Sequence, residues 1–327
     1  MRKALLLVFL LAVPASAQEW TPVATALLEK EKPGNFGLCG VVVDHANGDV
    51  IVELSDKGFY RSADQGKTWQ RLNEKIIKGR TETPGCLMLD PTGKSKKLVS
   101  ALVYGSPIVV SPDRTNFTAM NNKSSHVDWC AVDWSDPEMK FVLALKHEAA
   151  DALLVSHDAG QSFAEVGKGY GPAYIFDANT AVVAEAKMKD RPMPGLLRTT
   201  DAGKTFTKVS DYSAKALPRF HNGTLYWLAA GELIASEDQG KTWTKLGAVK
   251  DGRFGPVFGK DAKHMFALTG AGIAESVDRG ATWKAPIAMP KEMKGVSNLT
   301  WLDYDPINDV VYTMKMASDL YRLDRKR

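Results

Sequence analysis

The chain is organised as short apolar runs separated by turn-forming residues. Residues 41–43 and 50–52 are apolar and flank Asn47 and Gly48, a pair typical of tight hairpin turns. Asn222 and Gly223 separate two further strand-like runs in the same way. Apart from one short helical stretch at 24–32, no segment shows a strong 3.6-residue hydrophobic period. The pattern therefore predicts a fold that is almost entirely β.

A short phrase recurs along the chain. It starts with Ser or Thr, has Asp two positions later and Gly two positions after that, and ends in Ser or Thr followed by Trp or Phe. Good copies lie at 62–69, 156–163, 199–206, 236–243 and 276–283, and a degenerate copy without the Gly lies at 111–117. The aspartates of successive copies are 37 to 49 residues apart. A period of this length is typical of one four-stranded propeller blade per repeat.

The two ends of the chain predict how the propeller closes. Each good phrase follows a short apolar strand, and a similar strand at 319–323 has no hairpin partner after it. Residues 19–23 resemble the segments that follow the phrases, such as 241–246. We therefore expect the N-terminal strand to complete the last blade and to remove a free sheet edge. The prediction is a single all-β, seven-bladed propeller of four-stranded blades over residues 18–327.

The recurring phrase resembles the Asp-box, or BNR, repeat, and the resemblance covers nearly the whole chain. Asp-boxes occur in sialidases, two-propeller xyloglucanases, sortilin-type receptor domains and photosystem II assembly factors. The resemblance implies that the boxes lie at the turn between the third and fourth strands, opposite the usual binding face. Their carboxylates can accept turn N–H groups and their glycines can take positive φ, so we interpret them as structural. The structural set is Asp64, Gly66, Trp69, Asp158, Gly160, Asp201, Gly203, Asp238, Gly240, Trp243, Asp278, Gly280 and Trp283.

The first 17 residues predict an export signal. A basic start is followed by an apolar run of ten residues and by Ala15, Ser16 and Ala17, which form a small-residue cleavage site. The run is too short to span a membrane. We expect cleavage after Ala17, a periplasmic or extracellular location, and no membrane span.

The charge and the cysteines narrow the chemistry. The formal charge of +4 includes no basic run longer than three residues, so nucleic acid is not an expected partner. Cys39, Cys86 and Cys130 all fall on predicted inner strands. A disulfide between two of them, a soft-metal site and simple core packing remain open. We predict no cofactor and no metal site.

Candidate binding residues fall on the face opposite the boxes. An imidazole, an acid and a base share one predicted loop, a Trp lies beside polar groups on another, and two arginines begin successive inner strands, where they could clamp a carboxylate. The set is His126, Asp128, Trp129, Lys146, His147, Glu148, Arg219, His221, Asp251 and Arg253.

Two classes of function remain open. Sialidases of this group carry an Arg-Ile-Pro signature and six blades, and this chain has no such tripeptide. Xyloglucanases use two propellers, whereas this chain can build one. The single predicted seven-bladed ring is more similar to the assembly-factor and receptor group, whose members bind polypeptides. We therefore expect a monomeric binding or assembly scaffold with a protein or peptide partner. The alternative is a glycoside hydrolase of the sialidase-like or xyloglucanase-like type, with a glycan as ligand.

Overall fold

The computed structural model describes residues 19–105, 108–120 and 126–325. The predicted signal peptide at 1–17 lies outside these residues. In this part of the chain, no helix is long and apolar enough to cross a membrane.

The elements are short strands with one α-helix and one 3-10 turn. In chain order they are β1 (Thr21–Pro22), α1 (Thr25–Glu31), β2 (Leu38–Asp44), β3 (Asp49–Leu54), β4 (Gly58–Ser62), β5 (Gln70–Arg71), β6 (Leu87–Leu89), β7 (Leu98–Ala101), β8 (Ile108–Ser111), β9 (Thr118–Ala119), β10 (Val127–Val132), β11 (Val142–Lys146), β12 (Ala152–Ser156), β13 (Ala164–Gly167), β14 (Tyr170–Ile175), β15 (Ala181–Glu185), β16 (Leu196–Thr199), β17 (Thr207–Ser210), β18 (Arg219–His221), β19 (Thr224–Ala229), β20 (Glu232–Ser236), β21 (Thr244–Ala248), β22 (Gly252–Phe258), β23 (Met265–Thr269), β24 (Gly272–Ser276), the 3-10 turn Lys291–Met293, β25 (Thr300–Asp305), β26 (Val310–Lys315) and β27 (Leu320–Asp324).

These strands form seven antiparallel sheets, one for each blade. The first five blades take four consecutive strands each, from β2–β5 to β18–β21. The sixth contains β22, β23 and β24, and its outer position is held by an isolated bridge between Ile273 and Ile287. Pro286 and Pro290 flank Ile287 and have no N–H to donate, so the outer segment cannot form a continuous ladder. The predicted seven-bladed propeller is confirmed.

The seventh blade is built from both ends of the chain. Its strand order is β25, β26, β27 and β1, so the N-terminal strand is the outermost. Thr21 pairs with Arg322, and Pro22 pairs with Tyr321. The N–H of Val23 donates to the carbonyl of Leu320 at 2.8 Å. The predicted ring closure by the N-terminal strand is therefore confirmed.

Apolar side chains fill the spaces between neighbouring blades. Trp129, Trp227 and Trp301 are each at most 2% exposed and lie on β10, β19 and β25. Burying a side chain of this size contributes about 2–3 kcal/mol, so a few such positions decide much of the stability. The inner strands of a blade are covered by the blades on either side, so their runs are apolar on both faces, as in residues 50–52. The outer strands, such as β13, are more exposed.

Each Asp-box forms a closed set of hydrogen bonds at the turn before the fourth strand. In the first box, Ser62 Oγ donates to Asp64 Oδ1 at 2.8 Å and accepts from Gly66 N at 2.7 Å. Thr68 donates to Asp64 through its N–H at 2.9 Å and its hydroxyl at 2.6 Å. These bonds lower the pKa of Asp64 to about 2, with the Thr68 hydroxyl as the largest cause. The other good boxes repeat the pattern around Asp158, Asp201, Asp238 and Asp278.

The boxes define the two faces of the ring. The Asp-box face carries the boxes together with the turns between the first and second strands of each blade. Arg114 of the degenerate box shows this, because it donates to Asp44 at the end of β2 at 2.5 Å. The opposite face carries the links between blades and the turns between second and third strands. We call it the loop face.

Candidate functional site

A plug divides the central channel into two chambers. A Cβ placed on Gly85 would lie 2.9 Å from Phe254 Cε2 and 3.4 Å from Leu217 Cδ1, so these side chains from blades five and six reach across to blade two. Phe254 and Leu217 are both almost fully buried. A vestibule of about 570 Å³ opens on the loop face, and an Asp-box cavity of about 1000 Å³ opens on the other side.

The loop-face vestibule is lined by links between blades. Its charged residues are Glu82, Lys215, Asp251 and Arg253. Arg253 contacts its neighbour Asp251 through Nε at 2.9 Å and through a terminal nitrogen at 3.2 Å. The two charges therefore satisfy each other, and Arg253 is not poised to hold an incoming carboxylate.

Beside the vestibule, an arginine is stacked between two exposed rings. The guanidinium carbon of Arg80 lies 3.6 Å from the ring centre of Phe36 and 4.6 Å from that of Tyr104. Arg80 also forms an ion pair with Glu82. Phe36 is 39% exposed and Tyr104 is 47% exposed, so both rings present apolar area to solvent while the arginine holds them in place.

Two histidines extend this group. The Tyr104 ring makes edge contacts with His126 at 4.6 Å and with His147 at 5.5 Å between centroids. His147 Nδ1 lies 2.6 Å from Asp128 Oδ1. Burial raises the pKa of Asp128, and the His147 contact opposes that rise. We call Phe36, Arg80, Glu82, Tyr104, His126, Asp128 and His147 the loop-face cluster.

The structure brings some of the sequence-predicted residues together and separates others. His126, Asp128 and His147 meet in the cluster, and the exposed Glu148 lies 3.7 Å from His147 Nε2. Lys146 ends β11 at the same rim. Trp129 packs in the core, because the register shifts between Val127 and Trp129 and the indole turns away from solvent.

The two arginines expected to clamp a carboxylate together do not lie in the same chamber. Arg219 and His221 line the Asp-box cavity, whereas Asp251 and Arg253 line the vestibule on the other side of the plug. Register shifts after Gly252 and after Phe254 displace β22 relative to a regular inner strand, so equivalent positions in the sequence do not lie at equal depth in the channel.

Sequence reasoning did not find a buried polar network beneath the cluster. Glu53 of β3 is fully buried and accepts hydrogen bonds from Thr81 Oγ1 at 2.5 Å, Ser100 Oγ at 3.1 Å and Cys39 Sγ at 3.5 Å. Burial raises the pKa of Glu53 to about 7, although these bonds act in the opposite direction. The sequence held one signal of this network, since Glu53 is a single carboxyl residue within the otherwise apolar run at 50–54.

The three cysteines lie in the same region without bonding to one another. Cys39, Cys86 and Cys130 are buried free thiols, and Cys86 Sγ donates to the carbonyl of Asp128 at 3.3 Å. Burial raises the pKa of all three thiols, which favours the inert protonated form. Among residues 19–105, 108–120 and 126–325, no three His, Cys, Asp or Glu side chains are grouped to hold a metal ion.

The geometry and the repeats define a β-propeller with Asp-boxes. The model of the BNR/Asp-box repeat matches residues 60–71. Sortilin from rat and sortilin from mouse are each 26% identical over 207 residues, which is 60% of this chain and 25% of sortilin. The chain thus spans about a quarter of the length of the curated relatives it matches.

Solved structures support the fold alone, since their sequence identities are low. YCF48 bound to D1 peptide has a TM-score of 0.51 at 12% identity and covers 96% of this chain and 99% of that one. The propeller domain of Cps50 (Swd1) from Myceliophteria thermophila has a TM-score of 0.59 at 10% identity, covering 88% and 97%. An ancestral GH74 enzyme has a TM-score of 0.52 at 12% identity, covering 89% and 48%.

Proposed function

We propose that this protein is a binding or assembly scaffold that recognises a protein or peptide partner on its loop face. The observation that carries the proposal is the stack of Phe36, Arg80 and Tyr104. Two half-exposed rings fixed by one arginine are a preformed apolar surface, and aromatic and arginine side chains dominate the energetics of protein interfaces.

The surroundings of the stack suit a polypeptide. His126, Asp128 and Glu82 supply donors and acceptors around the rings, as the polar rim of an interface does. The neighbouring vestibule of about 570 Å³ has room for one or two side chains of a partner. The similar fold of YCF48, seen bound to a peptide, supports this class of ligand for an Asp-box propeller.

A displayed library of random peptides tests the proposal. Peptides selected on the wild-type protein are retested on Tyr104→Ala, Arg80→Ala and Ile307→Ala. Ile307 is the matched control, because it is 50% exposed and lies in a turn on the Asp-box face. We expect the first two variants to weaken binding by about tenfold or more and the control to leave it unchanged. Equal binding by all four proteins would refute the proposal.

The glycoside hydrolase alternative is tested with the same proteins. Turnover of any substrate in a glycan panel, abolished by Glu82→Gln or Asp128→Asn, would show that the protein is an enzyme and not a scaffold, because glycoside hydrolysis commonly needs two carboxyl groups.

We also propose export with cleavage after Ala17. N-terminal sequencing of the protein from its producing cells should then start at Gln18, and retention of Met1 would contradict it.

A further inference from the structure

The Asp-box cavity is large enough for a small molecule and is closed at its inner end. Its volume is about 1000 Å³, within the range of ligand pockets. Turns at 44–47, 90–96 and 221–222 form the mouth on the Asp-box face, and Leu217 of the plug closes the other end. Nothing in the proposed function uses this chamber, because the loop-face cluster lies on the opposite side of the plug.

One arginine in the inner wall of this cavity has no ion-pair partner among the described residues. Arg219, at the start of β18, lines the wall beneath the plug, and its guanidinium carbon lies 5.6 Å from the ring centre of Phe254. Within the described parts of the chain, no hydrogen bond or ion pair satisfies its side chain. Burial lowers the pKa of Arg219, while the charge of Asp303 opposes that effect. The Arg219 side chain is only partly buried, so a ligand in the cavity can reach its guanidinium. A cation in such a wall without an anion calls for an explanation.

The carboxylates in the wall are all engaged elsewhere. Two form ion pairs: Asp44 with Arg114 and Asp49 with Arg61, at 2.5 Å each. Asp90 accepts hydrogen bonds from Thr92 and Ser95. Asp113 accepts from the N–H groups of Thr115 and Asn116, and Asp303 accepts from those of Val43 and Tyr304. Among the residues that the structure describes, Arg219 therefore has no carboxylate partner in the inner wall. Lys94 and Lys96 also line the cavity without an ion pair to any described residue, but both are exposed at its mouth.

Two stacked pairs of rings line the same cavity. Tyr174 stacks on Phe220 with centroids 5.3 Å apart, and His221 stacks on Phe258 with centroids 4.2 Å apart. All four side chains line the cavity. The described residues offer the Tyr174 hydroxyl no hydrogen-bond partner. A flat ring bearing an acidic group would find stacking surfaces, a cation and a hydroxyl in one chamber.

We propose that the Asp-box cavity binds a small aromatic carboxylate whose carboxylate group accepts hydrogen bonds from the guanidinium of Arg219. The site is independent of the partner surface on the loop face. Its ligand enters from the Asp-box face, because the plug blocks passage from the other side.

Isothermal titration calorimetry with benzoate tests the site, with benzyl alcohol as the uncharged analogue. We expect the wild-type protein to bind benzoate and to bind benzyl alcohol more weakly. Arg219→Met should weaken benzoate binding by about tenfold or more, since bonds to charged groups are the strong ones. The matched variant Arg198→Met, an arginine that donates to the carbonyl of Gln239 outside the cavity, should leave binding unchanged.

A second measurement excludes a purely structural arginine. Without ligand, Arg219→Met should melt at or above the temperature of the wild-type protein, because a partly buried cation without an ion pair is replaced by an apolar side chain. A large loss of stability would overturn the proposal, as would a wild-type protein that does not bind benzoate. Tighter binding of inorganic phosphate than of benzoate would also overturn it. Peptides selected on the loop face should still bind Arg219→Met, so the two proposals can fail separately.

Discussion

The buried carboxyl of Glu53 should give the stability of this protein an unusual dependence on pH. Burial raises its pKa from 4.5 to about 7 in the folded state. The folded protein therefore holds the Glu53 proton at pH values where the unfolded chain has lost it. The contribution of this proton to stability is complete below pH 4.5 and is lost as the pH rises towards 7.

The size of the effect follows from the shift. Each pKa unit corresponds to about 1.36 kcal/mol, so this group alone should lower the free energy of unfolding by about 3 kcal/mol across that window. Glu53→Gln is neutral at every pH and keeps a side chain of the same shape. We expect urea unfolding, followed by tryptophan fluorescence, to show this decline in the wild-type protein and not in the variant.

Glu275 is the control with the opposite sign. It is nearly buried, but Lys284 at 3.0 Å and Arg325 at 2.7 Å hold its pKa below the usual value. Its contribution is present above the unfolded pKa and is lost as the pH falls. Glu275→Gln should therefore flatten the acid side of the stability curve and leave the range from pH 4.5 to 7 unchanged. A Glu53→Gln protein that declines as steeply as the wild type would refute the reasoning.

Three further predictions concern the propeller itself. Deleting residues 18–23 should lower the melting temperature of the whole protein, since the seventh blade loses its outer strand, and unchanged melting would contradict this. Gly85→Ala should lower the melting temperature more than Gly223→Ala. Both residues have positive φ, but only the Cβ added at Gly85 would contact Phe254. Equal losses of melting temperature would argue against the plug. Asp238→Ala should lower the melting temperature by a few degrees without affecting peptide binding, and loss of that binding would show that the box is more than structural.

Local sequence was sufficient for the architecture. The turn at Asn47 and Gly48 and the Asp-boxes are defined by residues within a few positions of one another, so their conformations could be predicted without tertiary information. Ring closure was predictable because residues 19–23 look like an outer strand and the strand at 319–323 lacked one. The outer segment of the sixth blade is interrupted because of Pro286 and Pro290. These prolines are visible in the sequence, but the regular repeat favoured a complete fourth strand there.

The candidate sites required the third dimension. Phe36, Arg80 and Tyr104 come from three separate loops, and no pattern along the chain links them. Arg219 and Arg253 look equivalent in the sequence, but the register shifts of β22 place them on opposite sides of the plug. In strands with a period of two, one shift of register redirects a side chain completely.

The seventh blade also determines when the molecule can finish folding. Thr21 finds its partner in Arg322, so the ring is sealed by residues separated by almost the full length of the chain. During synthesis, blades one to six can form as they emerge, but β27 and its outer edge do not exist until residue 324 has been translated. The segment at 19–23 is therefore synthesised early and stays unpaired until then. Contacts between residues so far apart in the sequence also form slowly. A nascent chain that stalls before β27 would expose an open ring to chaperones and to other chains.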